Sequence, residues 1–205
     1  MTQITGGIRS ILSSPAIYRL FQHLMGARSG WRQFVARDVR AQAGDTVLDV
    51  GCGPGDVLDY LPEVDYWGFD ISAPYIEQAR RRHAGRGQFR CQMLTRDDLP
   101  RLPAFDIVIA SGLLHHLDDA QAHELLALGR LALKPGGRLL TIDPCLVSGQ
   151  HPLARFLIER DRGQNVRSEA AYAELARRVF SRVQVTVRHK AWIPYSHCFI
   201  ECTQT

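Results

Sequence analysis

One ten-residue stretch, Val47-Leu48-Asp49-Val50-Gly51-Cys52-Gly53-Pro54-Gly55-Asp56, restricts the fold more than any other part of the 205-residue chain. Val47, Leu48 and Val50 suit a short strand buried on both faces. Glycines at 51, 53 and 55 let the backbone turn sharply and let a ligand come close to it. A helix expected to open at Asp56 would aim its first N–H groups into the same gap. Strand, glycine turn and helix in this order belong to an α/β sheet that binds its ligand outside the carboxyl ends of the strands.

A second strand is expected over residues 66–70, ending on Asp70. An acid about 20 residues beyond a glycine turn suits a ribose, because a carboxylate can accept from both hydroxyls. Asp-x-Gly-x-Gly-x-Gly at 49–55, followed by Asp70, resembles the cofactor site of the class I S-adenosylmethionine-dependent methyltransferases. A nicotinamide fingerprint would need glycine at 56; Asp56 stands there and argues against a dehydrogenase. The Leu133-Lys134-Pro135-Gly136-Gly137 turn is a further point of likeness. The resemblance implies a doubly wound, Rossmann-like α/β fold. Its sheet would be seven-stranded and mostly parallel, in the order 3-2-1-4-5-7-6, with helices on both faces and N-terminal cover helices. It also implies S-adenosyl-L-methionine as cofactor, S-adenosyl-L-homocysteine as product, and no metal.

Length allows one domain with a sizeable core. Residues 1–44 read as a helical cover segment, 45–205 as the cofactor-binding domain, and 144–167 as a lid inserted within it. The net charge of +4 is mild and scattered. It fits a small, anionic acceptor and gives no basic stripe for nucleic acid. After the fourth strand the chain has Ala110-Ser111-Gly112-Leu113, not the Asn/Asp-Pro-Pro-aromatic turn usual in nucleic-acid amine methylation. No apolar run approaches the ~18 residues of a membrane span, and no signal-peptide pattern opens the sequence. Cys52, Cys91, Cys145, Cys198 and Cys202 are odd in number and lack a C-x-x-C pair. Neither disulfides nor a zinc site is therefore expected, and a cytoplasmic location is.

Helical periodicity places Ile17, Leu20, Phe21, Leu24 and Met25 on one buried face, and a second amphipathic turn runs from Trp31 through Phe34 and Val35 to Val39. A short helix is expected over 56–60. Another follows the N-cap Ser72, with Pro74 in its first turn and Tyr75, Ile76 and Ala79 inward. Strands are expected at 89–93, 105–111 and 138–143. Asp118 and Gln121 read as a capping box before the stripe Ala122, Leu125, Leu126 and Leu133, and Lys134-Pro135-Gly136-Gly137 as the stop of that helix. A helix near 153–159, a helix capped by Ser168, and strands around 183–187 and 195–202 complete the order. Cys198 and Cys202 should share one packed strand face.

The resemblance assigns roles residue by residue. Gly51, Cys52, Gly53 and Gly55 would give the methionine part close backbone approach, and Asp49 would orient that loop or meet the cofactor ammonium through water. Asp70 would hold the ribose, with Ile71 over one adenine face and Ser72 and Tyr75 beside it. Leu94, Thr95 and Arg96 would lie at the adenine amine, Thr95 in the usual acid position. Ser111, Gly112 and Leu113 form the next strand tip. His115 and His116 are candidate general bases, since histidine titrates near neutral pH; alternatively one of them packs under the cofactor or orders the loop. Tyr18, Arg162, Arg167, Tyr195 and His197 are candidate acceptor contacts. Core-edge packing (Tyr18), a solvated ion-paired loop (159–167) and a strand-entry turn (193–197) are the competing readings. The expected activity is methyl transfer to an oxygen or nitrogen of a small molecule; the alternative is a non-catalytic cofactor sensor or partner-binding protein on the same fold.

Overall fold

A computed structural model of the chain describes residues 27–150, 155, 165–189 and 196–205. Tyr18, Arg162, Tyr195 and the helix expected near 153–159 lie outside the described residues. Five parallel strands, β1 (Thr46–Val50), β2 (Asp65–Asp70), β3 (Gln88–Cys91), β4 (Phe105–Ser111) and β5 (Leu133–Leu146), lie in the order β3-β2-β1-β4-β5. Beyond them come β6 (Arg167–Ser168), β7 (Arg182–His189) and β8 (Ser196–Thr203). β8 runs antiparallel to β5, and β7 antiparallel to β8. The sheet thus has eight strands among the described residues, one more than expected. The extra strand is the two-residue β6, which pairs with β5 at Cys145 and Leu146 off the main path. The seven main strands keep the expected order.

Alternation along the central strands builds a core on each face. Val47, Ile107, Ile109 and Leu140 pack on one side with Phe34, Val35, Val39, Tyr66 and Ile76. Leu48, Val108, Ala110 and Leu139 pack on the other with Leu125, Leu126, Tyr172 and Leu175. Apart from Tyr66 on β2 and Val35 and Val39 in the turn after the first helix, these partners come from α1 (Ala27–Phe34), α2 (Ala73–Arg82), α3 (Asp119–Ala132) and α4 (Glu169–Arg177). After α1 a π-helical turn, Val35–Val39, ends at Arg40, whose φ of 50° reverses the chain. Arg188 grips Asp38 through two bonds of 2.6 and 2.7 Å, and Arg138 donates to the Asp38 and Val39 carbonyls. The cover turn is thereby fastened to the antiparallel end of the sheet. Cys198 and Cys202 are both fully buried on one face of β8, as the alternation requires.

Several local expectations change. The 56–60 segment is a 3-10 turn, Asp56–Asp59, with both its aspartates bound by Arg82. Ser72 occupies the N-cap position of α2 without a side-chain capping bond, and its amide donates to Asp70 at 2.8 Å. Lys134-Pro135-Gly136-Gly137 does not precede β5 but bulges out of it. Leu133 pairs with Phe105 and Arg138 with Ile107, so four residues loop out where β4 has one. The Asp118–Gln121 capping box and the Ser168 cap are present as expected. No described helix is long and apolar enough to cross a membrane.

Candidate active site

β1 and β4 are neighbours in space, and from them the sheet grows outward in opposite directions, so a crevice opens at their carboxyl ends. The glycine turn forms its floor. Gly51 and Cys52 both donate to the Phe69 carbonyl, at 2.8 and 3.0 Å, which folds the end of β1 against β2. Gly51, Gly53 and Gly55 have φ of 73°, 53° and 74°, a region that only glycine enters freely. Nothing lies within 4 Å of the place a Gly53 side chain would take, so a ligand can approach the backbone closely here. The Cys52 side chain turns inward against Gly68, and burial pushes its thiol far up.

Asp70 sits at the tip of β2. One carboxylate oxygen accepts from Gly53 N at 2.9 Å and the other from Ser72 N at 2.8 Å. A carboxylate has about four lone-pair sites, so Asp70 can fix the turn and still accept from a vicinal diol. Ile71, the next residue, is 62% exposed, an apolar surface suited to a base. Asp49 is 4% exposed and accepts from the Tyr66 hydroxyl at 2.6 Å. Burial, reinforced by the charges of Asp70 and Asp56 and opposed by the Tyr66 hydrogen bond, pushes its carboxyl up to about 7.

The third strand tip differs from expectation. Leu94 is buried. The Thr95 hydroxyl and amide both donate to Asp98 Oδ2, at 2.7 and 2.9 Å, closing a capping box over the following 3-10 turn. The Thr95 hydrogen is therefore spent, and its oxygen can offer only lone pairs to an amine. Arg96 turns to Glu124 on α3 at 3.0 Å. Met93, 64% exposed, stands at this tip unannounced by the sequence reading. Tyr75 is half-buried in the first turn of α2.

At the fourth tip, Ser111, Gly112 and Leu113 are half-buried, and Gly112 N bonds to the Ile142 carbonyl of β5 at 2.8 Å. A 3-10 turn, Leu114–His116, follows. His115 is buried and His116 exposed, with ring centroids 4.0 Å apart. His115 Nδ1 lies 2.8 Å from Asp143 Oδ1, and the His115 amide donates to the same oxygen at 3.2 Å. Asp143 is completely buried near the end of β5, and its Oδ2 has no hydrogen-bond partner among the described residues. A carboxylate here accepts, which suits the Nδ1–H tautomer, the one that leaves Nε2 with its lone pair. Asp143 was not among the sequence candidates. Its signal was an acid at the tip of an otherwise apolar strand, in line with Asp49 and Asp70.

Arg167 does not present a guanidinium to an anionic acceptor. Its bonds run to the carbonyls of Leu114, Leu117 and Asn165 and to Asp119. His197 lies half-buried on β8, in register with Pro144 of β5, one residue beyond Asp143. Among the described residues no three His, Cys, Asp or Glu side chains cluster as a metal site.

Comparison with known proteins agrees with this geometry. A model of the methyltransferase domain matches residues 48–139. The ubiquinone/menaquinone biosynthesis C-methyltransferase of Desulfotalea psychrophila is 33% identical over 124 residues, covering 58% of this chain and 49% of that protein. The phenazine O-methyltransferase of Lysobacter antibioticus is 34% identical over 113 residues, covering 52% and 33%. The chain thus spans half or less of the length of these curated relatives. In fold, it superposes on the S-adenosylmethionine-dependent methyltransferase SibL with a TM-score of 0.70 at 21% identity, covering 94% of this chain and 60% of that one. The residues present fit S-adenosylmethionine: an open glycine edge, a carboxylate with spare lone pairs, an exposed apolar residue beside it and a buried acid at the strand mouth. In strand order, glycine turn and matched segment together, this chain is similar to the class I S-adenosylmethionine-dependent methyltransferases.

Proposed function

We propose that the protein transfers a methyl group from S-adenosylmethionine to an oxygen or nitrogen of a small-molecule acceptor, with His115 as general base. The observation that carries this reading is the 2.8 Å contact between His115 Nδ1 and the buried Asp143 carboxylate. Asp143 fixes the tautomer that leaves Nε2 basic, and its negative charge favours the imidazolium formed when Nε2 takes the acceptor proton. His116, the other histidine candidate, is exposed, and we assign it no proton transfer.

When bound, the cofactor supplies an activated methyl and a neutral leaving group. The chain's own residues then have three tasks. The glycine turn, by close backbone approach, and Asp70 hold the two ends of the cofactor, Asp49 receives its ammonium, and His115 removes the proton. Alignment of this kind is worth about 7–11 kcal/mol of a barrier. The O-methylating relative named above supports an acidic hydroxyl on an aromatic ring as the first acceptor class to try.

The test is production of S-adenosylhomocysteine by purified protein with S-adenosylmethionine and a panel of phenols, hydroxylated heteroaromatics and amines. Turnover of one class, lost in His115→Gln, supports the reading. Tight cofactor binding with no turnover across the panel replaces it with the sensor alternative.

A further inference from the structure

The chain that returns from β5 toward α4 brackets the turn that carries His115. The Asn165 amide donates to the His115 carbonyl at 3.0 Å. Two residues later, Arg167 reaches both flanks of the same turn. Its Nη1 donates to the Leu114 carbonyl at 3.0 Å and its Nη2 to the Leu117 carbonyl at 2.8 Å. The second Nη1 hydrogen goes to the Asn165 carbonyl at 3.0 Å, while Nε and the second Nη2 hydrogen share Asp119 Oδ1 at 3.0 and 2.7 Å. All five donors of the guanidinium are spent. Its side chain is 9% exposed, lies with Cζ 5.8 Å from the Tyr172 ring centre, and starts from β6, which is paired to β5 two residues past Asp143. Tyr172 is itself tied to β5 through its hydroxyl and the Pro144 carbonyl, at 3.2 Å.

We propose that Arg167 is a positioning residue for His115: it locks the 3-10 turn at the register that keeps the imidazole on Asp143. This rests on the reading of His115 as general base. Within the turn the Leu114 carbonyl accepts only from the Leu117 amide, at 3.2 Å; Arg167 adds a second donor to it and bridges it to the Leu117 carbonyl beyond the turn. A planar fork fixes the spacing between two carbonyls; a lysine ammonium, a single point on a flexible stem, does not. Asp143 holds the inner side of the turn through the amide and ring of His115, while Arg167 and Asn165 hold the outer side through carbonyls 114, 115 and 117. A ring set 1 Å from its proper place is enough to lose much of the benefit of alignment.

The test uses the full chain labelled with 15N-histidine. Long-range proton–nitrogen spectra report the tautomer of each ring, and His115→Gln identifies the His115 signals by their loss. Wild-type His115 should be in the Nδ1–H form. Arg167→Lys and Arg167→Ala should each lose about two-fold of that form to the other tautomer, whereas Asp119→Asn, which removes only an exposed partner, should retain it. Affinity for S-adenosylhomocysteine by calorimetry should stay within about three-fold in all of them. Should Arg167→Ala not fold, Arg167→Lys decides alone. An unchanged His115 tautomer in a folded Arg167 variant overturns the proposal, and so does a ten-fold or greater loss of S-adenosylhomocysteine affinity, which would place Arg167 at the cofactor instead. The tautomer is read without turnover. Retained activity in His115→Gln would therefore sink the general-base reading alone, and an unmoved tautomer would sink the positioning role alone.

Discussion

The Tyr66 hydroxyl donates to the Asp49 carboxylate across 2.6 Å, from the start of β2 to the mouth of β1. This bond opposes, without cancelling, what burial does to the acid. Burial pushes the Asp49 carboxyl from an ordinary 3.8 up to about 7. The folded protein therefore keeps a proton that the unfolded chain releases, and the contribution of Asp49 to stability falls as pH rises from about 4 to about 7. A ligand ammonium brought beside it reverses the preference. Binding of S-adenosylhomocysteine should release protons below pH 7 and none well above it. Affinity should drop by at most about tenfold per unit of acidification. Calorimetry at pH 6 in two buffers of different ionisation enthalpy checks this, and Tyr66→Phe should move the proton-release window upward. Proton uptake at pH 6 contradicts the assignment.

Asp70 joins two amides from different segments and still faces the crevice. Asp70→Ala removes a charged acceptor from both amides as well as the contact to a sugar. Hydrogen bonds to charged groups are worth about 1.5–3 kcal/mol, so S-adenosylhomocysteine affinity should fall at least about tenfold. Unchanged affinity by calorimetry removes Asp70 from the site.

With an acceptor in hand, His115→Gln and Asp143→Asn should each lower kcat by about a hundredfold or more, the usual span of general acid–base catalysis. His116→Gln should stay within a few-fold. The profile of the Asp143→Asn variant matters most, because it keeps the shape of the acid and removes only its charge. Equal losses at 115 and 116 would mean that the turn, not one ring, carries the effect.

Gly68 lies inside β2, where a methyl group would meet the Cys52 thiol at 2.8 Å, the Phe89 ring at 3.0 Å and the Tyr66 ring at 3.1 Å. Gly68→Ala should destabilise the fold by about 1–3 kcal/mol, as overpacking does. It should also push Cys52 and the glycine turn outward and weaken S-adenosylhomocysteine binding. Thermal melts and calorimetry on the same sample separate the two effects.

The central strands were readable because their apolar runs have no other use. Phe105–Ser111 was placed to the residue, and the strand order followed from the resemblance. What sequence could not show was how polar groups spend their hydrogen bonds. Asp98, three residues on, takes both donors of Thr95 and leaves only its oxygen lone pairs, which are what an adenine amine would need. Arg167 read as an anion binder, yet three of its five bonds go to backbone carbonyls, which carry no signature in the side-chain pattern. Asp143 was passed over because its partner lies 28 residues away, on the neighbouring strand's exit turn. The Lys134–Gly137 segment looked like a stop, since glycine and proline usually end an element, whereas here the sheet absorbs them as a bulge.

Asp70 ends β2 and Asp143 lies near the end of β5, and between those strands stand only β1 and β4. Three inter-strand gaps, a span of about 14 Å, separate the proposed ribose contact from the acid that orients the proposed base. That length is graduated by backbone ladders and owes nothing to side-chain identity. The pocket can consequently exchange one acceptor for another through its loops while the reach from cofactor to base stays constant, like a gauge block around which the rest of a tool is changed.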